Sequence, residues 1–593
     1  MATCDHPRRS ETPLSLITRL VGLSCLLGPG IASAQDLLPA GSPITDAVIV
    51  DVTPEGFDAV TGVIPSFLPG DIALDSLGDE YDGALGQCWL GGYGYEVSNM
   101  FIDIEIPYAS IVPQNGYLDL TFDIQVAIND SSNPFYIWTT LECIDSTCDA
   151  YVEPFVATIN THIDMQVVEG PDGPMLDANV GDLNLSYDLT GDNINLSGCA
   201  LATVNNILDF FGLNLFDIVL SFAGGFIDDA IGDFAPQIEE LLEDSFGAAN
   251  IEQEIDLGGV VATLQIYPGD VEIRPEGMRL SMDGSMDADA AECVAQWDPG
   301  GSARVEGDLP AIGAPGDGVD SGQHLGLLMS DEFGNQALYA IWRAGLLCQV
   351  VDEELTGFSM NTALMSLFIG DDAGSTIAGL FEAPAPLLIL TRPEAPPTLV
   401  YNGPNDVVVA LEQLGLDFYG ELDFRNARLM GVDLQTDVGI NLPFDGTTGA
   451  LAIEVGLSGE DLVPTVVSNE FAPGTDAAVG TAIKGLFDTL VAPILADQLG
   501  DLAFNLPGFD GLGLTALEVA PSGPEGDWLG IYANLGLVPY EAAGCDSEDG
   551  CGGGCGGGCG NGGVVNGRLA LLALPLGLIM IRRRQDWEAG SEA

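Results

Sequence analysis

Few residues in this sequence have the types and spacing that chemistry needs. Three histidines occur in 593 residues, and only His162 and His324 lie beyond residue 6. A serine hydrolase needs a base beside its nucleophile, and these two are the familiar candidates. His162 follows a polar strand edge, and His324 borders a segment rich in Gly, Pro and Asp. Both read as bystanders. The sequence has no G-x-S-x-G elbow, no Walker A loop and no H-E-x-x-H helix. Asp283, Asp287, Asp289 and Glu292 are carboxylates that could ligate calcium, but they lack the spacing and the glycine of an EF-hand loop. A solvated acidic loop is the better reading. The expectation is a protein that is not an enzyme, takes no cofactor and holds no metal.

Cysteine chemistry is the next candidate. Leaving aside Cys4, Cys25 and the C-terminal tail, the body holds Cys88, Cys143, Cys148, Cys199, Cys293 and Cys348. An even number in an exported chain points to disulfides, and six cysteines allow fifteen connectivities. Cys143 and Cys148 enclose a short polar loop. Cys88 with Cys199 and Cys293 with Cys348 are the remaining pairs. The absence of a Cys-x-x-Cys pair in the body argues against a zinc site.

The chemistry that the sequence favours is apolar binding. Over residues 117–128, Leu118, Leu120, Phe122, Ile124, Val126 and Ile128 alternate with Asp119, Thr121, Asp123 and Gln125. That period of two describes a long strand with one apolar face. Met430, Val432 and Leu434 begin a second such row, which continues through Val438, Ile440 and Leu442. Two further stretches, residues 203–246 and 479–504, have helical spacing. Their ends align, FAPQIEELLEDSF against VAPILADQLGDLAF, so they read as an internal repeat. Phe211, Leu215, Val219 and Phe222 in the first copy, and Leu486, Leu490, Ile494 and Leu495 in the second, are the residues expected against a sheet.

An apolar sheet face must be covered, and a helix is the usual cover. Where strands outrun the helix, a groove remains. Its candidate lining is Leu118, Leu120, Phe122 and Ile124, the four residues of the first helix, Met430, Val432 and Leu434, and Leu486, Leu490 and Ile494. Burial is worth about 0.8 kcal/mol per methylene, so a 16-carbon chain gains on the order of 12 kcal/mol over water. A lipid in a bilayer already has that gain, so exchange between bilayer and groove is near balance. The same residues also suit an ordinary filled core.

Other elements frame these faces. Residues 48–52 read as a strand, and TPEGFDAVTGVIPSFL after them as a short helix. Residues 101–106, 183–189, 260–267, 278–282, 451–457, 514–519 and 529–535 read as strands. Residues 325–348 read as strand, turn, helix and strand. Residues 299–322, rich in Gly, Pro and Asp, read as a linker. The net charge is −74, with a single lysine, Lys484. Residues 35–544 carry 8 cations against 81 acids. Such a field repels nucleic acid, and scattered acids read as solvated faces.

Both ends read as addresses. Arg8, Arg9 and Arg19, an apolar run, and Ala32-Ser33-Ala34 make residues 1–34 a secretory signal peptide, with processing after Ala34. At the other end, residues 542–563 form a Gly/Cys-rich linker with Cys551, Cys555 and Cys559. Residues 564–581 form a hydrophobic sorting or anchor segment, and 582–593 a basic cytoplasmic tail. This order resembles the MYXO-CTERM and GlyGly-CTERM sorting signals of bacteria. It implies a processing protease that removes the span, with Cys551, Cys555 and Cys559 as the candidate processing residues and the cut site left open. The MYXO-CTERM pattern centres on one cysteine.

The body resembles the tubular lipid-binding superfamily, in the branch of bactericidal/permeability-increasing and lipopolysaccharide-binding proteins. AVIVDVTPEGFDAV is similar to the family's first strand turning into a helix. NMFIDIEIPYASIVPQNGYLDLTFDIQVAI is similar to its two long strands, and LGLLMSDEFGNQALYAIWRAGLLC to the segment opening its second half. Cys199 matches the cysteine before the long helix of the first half, but the family's partner cysteine within that helix is missing. The resemblance runs from about residue 44 to 539. It implies an α+β, two-domain boomerang. Each half would be a long, highly curved antiparallel sheet, a barrel wrapped on a long apolar helix, and the halves would share a central sheet. Residues 35–298 and 323–541 are the expected domains. Members that bind endotoxin use a basic N-terminal tip, which this acidic chain lacks.

The expectation is therefore an exported bacterial lipid-binding or lipid-transfer protein. It would hold acyl chains of phospholipid or a related lipid and touch membrane surfaces transiently. It would be displayed at the cell surface, associated with the outer membrane, or released, and would have no nucleic-acid partner. The alternative is a structural or adhesive surface protein on the same fold with filled pockets.

Overall fold

A computed structural model describes residues 37–62, 71–74, 77–81, 93–187, 193–198, 251–486, 504–505 and 512–537, with breaks of a few residues inside the longer blocks. The first apolar helical stretch, with Phe211, Leu215, Val219 and Phe222, lies outside the described residues. So do Leu490, Ile494 and Leu495, the side chain of Leu486, Cys88, Cys143, Cys199, and both chain ends with Ala34, Cys551, Cys555 and Cys559.

The body opens on β1 (Ile44–Val52) and turns at once into α1 (Pro54–Thr61). Thr53 caps that helix by accepting from the Gly56 N–H. Pro54 follows in the first turn, where a missing N–H costs nothing. Three long strands come next: β2 (Met100–Pro113), β3 (Leu118–Ile128) and β4 (Ile144–Gly170). β4 is the hub of a ten-stranded sheet. One edge of β4 pairs with β3 from Val152 to Ile163. The other edge carries the short strands Gly173–Val180, Asn184–Tyr187 and Ile194–Ser197. The alternation in β3 sorts its faces: Leu118, Leu120, Phe122, Val126 and Ile128 are buried, with Ile124 packed beside them. A break of register between Glu105 and Tyr108 bends β2 against β3.

The central sheet begins at its far edge with the strand Ile251–Asp256. It continues through β5 (Val261–Arg274), β6 (Gly277–Asp287), β1 and β7 (Leu325–Ser330), and ends on the strands Trp528–Leu537 and Leu512–Ser522. β1 therefore lies between β6 and β7. Arg279 of β6 and Asp51 of β1 face each other across that ladder and share two hydrogen bonds of 2.7 Å, both buried. A buried ion pair holds only if its remaining polar atoms are also satisfied. Here the segment expected to be a linker supplies them: Arg279 donates to the Pro310 carbonyl at 2.8 Å, and the Gly313 N–H donates to Asp51 at 3.2 Å. Gly301–Ala303 of the same segment pairs with Leu37–Pro39. Residues 299–322 are thus held to the central sheet at Pro310 and Gly313, and to the strand Leu37–Pro39 at Gly301–Ala303.

α2 (Asp331–Arg343) follows β7 directly, with no separate turn. Ser330 is its N-cap and accepts from the Phe333 N–H at 3.2 Å. A third, seven-stranded sheet is built on the hairpin of β8 (Val407–Leu422) and β9 (Arg425–Asn441). The helix Asp476–Leu486 contributes Val479 and Ile483 to the second hydrophobic core, beside Met430, Val432 and Leu434. The described residues form a sheet-rich α+β fold with few helices, and the long-stranded sheet is curled. No helix among the described residues is long and apolar enough to cross a membrane.

Candidate functional site

α2 is buried on nearly every side, because it lies between the central sheet and the third sheet. Two adjacent amides tie it to both. Gln336 donates to the Ser42 carbonyl at 2.8 Å and accepts from the Met286 N–H at 2.8 Å, on the central sheet. Asn335 accepts from the Leu399 N–H at 2.8 Å and donates to the Leu399 carbonyl at 3.3 Å, on the third. Beyond α2, Cys293 and Cys348 form a disulfide, and Arg343 pairs with Asp287 and Asp298 at 2.9 and 3.1 Å.

Between the helix and the third sheet a cavity of about 130 Å³ remains, partly open to solvent. Gly334, Ala337, Leu338 and Ile341 form its helical wall, while Leu399, Val409, Val438 and Ile440 form the sheet wall. Met329, Trp342, Leu347, Pro397 and Leu411 close it, so no charged side chain lines the space. The one polar group of Trp342 is turned away, its ring N–H donating to the Pro393 carbonyl at 3.1 Å. The residues of the helical wall stand at i, i+3, i+4 and i+7, one face of a helix.

Gly334 sets the width of this space. A Cβ at that position would lie 2.8 Å from the Tyr401 hydroxyl and 3.1 Å from a Leu399 methyl. Tyr401 is fully buried, and its hydroxyl has no hydrogen-bond partner. Burial holds that phenol well above its ordinary pKa, and Asp331 nearby adds to the shift. Asp331 opens α2 in a buried place. Burial first, then the charges of Asp527 and Glu332, push its carboxyl up to about 7.

The residues expected from sequence distribute as follows. Leu118, Leu120, Phe122 and Ile124 belong to the core over the ten-stranded sheet. Met430, Val432 and Leu434 belong to the second core. None of these seven lines the cavity, although Val438 and Ile440 of the same β9 row do. His162 sits 3.8 Å from Asp164 on an exposed face of β4, and His324 uses Nδ1 to accept from the Leu535 N–H at 2.9 Å. Asp283 accepts from the Asp46 N–H at 3.1 Å, and Asp287 is held by Arg343, so these carboxylates face different partners. Cys148 is disulfide-bonded. Among the described residues no group of His, Cys, Asp and Glu is placed to hold a metal ion.

No protein-family model matches the chain, and no curated protein matches it either. Solved structures do. The crystal structure of lipopolysaccharide binding protein aligns over 84% of this chain and 100% of its own, at 13% identity and a TM-score of 0.47. P47 of Clostridium botulinum E1 aligns over 83% of this chain and 100% of its own, at 9% identity and a TM-score of 0.21. Takeout 1 of Epiphyas postvittana covers 31% of this chain and 89% of its own, at 11% identity and a TM-score of 0.19.

Chemically, the cavity offers neither a nucleophile nor a group with a proton to transfer. What it offers is apolar contact around a space of about 130 Å³. A lining with no polar partner for water favours an apolar guest.

Proposed function

We propose that this chain binds an acyl lipid, with the end of one acyl chain seated in the cavity between α2 and the third sheet. The observation that carries this reading is the cavity lining: thirteen residues, all apolar or glycine, around about 130 Å³. That volume suits a few terminal methylenes, each worth about 0.8 kcal/mol on leaving water. Such a site favours apolar chains without selecting a headgroup, as a carrier requires.

In this reading the chain binds lipid without converting it. The signal-like start around Arg8, Arg9 and Arg19 supports export, and the Gly/Cys-rich tail followed by Arg582, Arg583 and Arg584 supports bacterial surface sorting and removal of the span by a protease. The two halves, residues 35–298 and 323–541, each form one tubular unit. A second reading, a structural or adhesive protein with filled tubes, draws support from the inner row of β3. Leu118, Leu120 and Phe122 are buried in continuous packing there.

Native mass spectrometry of the purified chain, with extraction and analysis of any bound lipid, tests the proposal. An acyl lipid that co-purifies, or a labelled fatty acyl probe taken up at about one per chain, supports it. A chain that carries no lipid and takes up no probe overturns it in favour of the filled-tube reading.

A further inference from the structure

The longest hairpin of the third sheet ends in a feature that folding alone does not explain. β8 and β9 are joined by a two-residue turn, with Leu422 paired to Arg425. Asp423 and Phe424 occupy the turn at φ 50° and 63°. Both angles are positive, as a type I′ turn demands, and such turns favour Asn-Gly or Asp-Gly. Asp423 suits its place; Phe424 does not. Five non-glycine residues among those described have positive φ, and the other four, Asp46, Asn99, Asn129 and Asp423, are all Asp or Asn. A bulky aromatic at this angle is a strained choice.

Phe424 is also 96% exposed, more than any other large apolar side chain described. Its neighbour Arg425 is unusual in the opposite sense. The body has few cations, and each of the others makes a bond: Arg274 to Glu272, Arg279 to Asp51, Arg304 to Glu332, Arg343 to Asp287, Arg392 to Asp417, Arg428 to Asp417, and Lys484 to the Glu460 carbonyl. The guanidinium of Arg425, among the described residues, forms neither an ion pair nor a hydrogen bond.

The hairpin also reaches past its neighbours. The flanking strand Leu387–Pro393 stops pairing at Gly420, and the strand Val463–Ser468 at Gly431. Two further pairs, Glu421 with Asn426 and Leu422 with Arg425, carry the tip outward. At about 3.3 Å per residue, this overhang approaches the roughly 8 Å Debye length of physiological salt. The tip thus stands partly clear of the acidic body.

We infer that the tip Asp423–Phe424–Arg425 docks on the surface of a phospholipid membrane. The Phe424 ring enters the boundary between headgroups and acyl chains, and Arg425 pairs with a lipid phosphate. An exposed aromatic next to an unpaired, snorkelling cation is the side-chain pair that suits this interface. The exposed turn Asn129–Asn133 between β3 and the next strand offers a contrast, since Asn129 donates to the Asn133 carbonyl and Asp130 accepts from the Ser132 and Asn133 N–H groups. This docking does not depend on lipid entering the cavity, and its test does not read lipid uptake.

Phe424→Trp in the purified full chain places a reporter at the tip, and Ser131→Trp places one at the polar turn. Each is compared with the unsubstituted chain on phosphatidylcholine vesicles with and without brominated acyl chains. The added emission at position 424 is expected to shift to the blue and fall about two-fold or more on brominated vesicles, while that at 131 does not. Arg425→Ser, combined with Phe424→Trp, is expected to reduce the quenching. No quenching at either position, or equal quenching at both, overturns the proposal. A blue shift at 424 that grows with protein concentration and needs no vesicles also overturns it, because the partner is then a second copy of the chain.

Discussion

Asn335 and Leu399 are joined as two strands would be, the side-chain amide of one taking both backbone hydrogen bonds of the other, at 2.8 and 3.3 Å. Leu399 belongs to the short edge strand Thr398–Val400, which pairs on one side with Val408–Ala410 of β8. Its other side would present an open N–H and C=O. Asn335 seals that edge and fixes the distance between α2 and the third sheet, which is the width of the cavity. Asn335→Leu is therefore expected to cost about 2–4 kcal/mol, since two buried backbone groups lose partners. Urea denaturation measures this, and a loss below about 0.5 kcal/mol would show that the amide does not hold the edge.

The side of the cavity formed by α2 tests the binding site itself. Ala337 is buried and points into the space. Ala337→Leu adds apolar volume there without polar cost, so stability is expected to hold or rise by ~1 kcal/mol. Uptake of a labelled acyl probe is expected to fall about ten-fold, with the denaturation midpoint showing that the fold is kept. Full uptake in a stable Ala337→Leu chain would place the lipid elsewhere.

Much of this framework was legible in the residues. The period of two in 118–128 and 430–442 marks strands, because side chains on a pleated strand alternate between faces. The motif 325–348 reads as strand, turn, helix and strand; β7 and α2 match its strand and helix, but no turn separates them, and residues 344–347 are turns rather than a strand. The role of that helix was harder to see. Gly334, Ala337, Leu338 and Ile341 do share a helical face, but Phe333, Gln336 and Ala340 on other faces are equally buried. A helix enclosed by two sheets has no polar side to give its orientation away. The fastening of segment 299–322 was hidden for a different reason. Gly and Pro mark irregular backbone, which need not be loose, and the pairing of Arg279 with Asp51 fastens this one through contacts far apart in sequence. Met430 and Val438 lie on one row of β9 yet reach different spaces, because a bulge in β8 between Leu411 and Leu414 bends the hairpin between them.

Asp331 makes stability depend on pH in an unusual direction. An ionised Asp at a helix N-terminus is normally favourable. Here burial and the charges of Asp527 and Glu332 outweigh that, and Asp331 titrates near 7 against an ordinary value of 3.8. Below pH about 4 the group is protonated folded and unfolded, and costs nothing. As pH rises from about 4 to 7 the unfolded chain releases the proton while the folded chain keeps it, so stability falls, by at most on the order of 4 kcal/mol. Asp331→Asn removes this loss. The variant should be more stable than the parent at pH 8, with the difference vanishing toward pH 4. Thermal melts at both values check it, and a difference independent of pH would mean that Asp331 is ionised throughout.

The strain at Phe424 gives a prediction with the opposite sign from most substitutions. Replacing an exposed aromatic normally leaves stability unchanged. At φ 63°, however, a side chain bearing a Cβ crowds its own backbone. Phe424→Gly relieves that crowding and is expected to raise stability by ~1 kcal/mol, even after the greater freedom of glycine in the unfolded chain is counted. Phe424→Asn should capture part of the gain, because Asn tolerates this angle better than Phe. Chemical denaturation of the three chains ranks them. The order Gly above Asn above Phe shows that the sequence keeps a less stable residue at the tip of its longest hairpin. Phe as the most stable of the three would show that the ring packs against the protein after all.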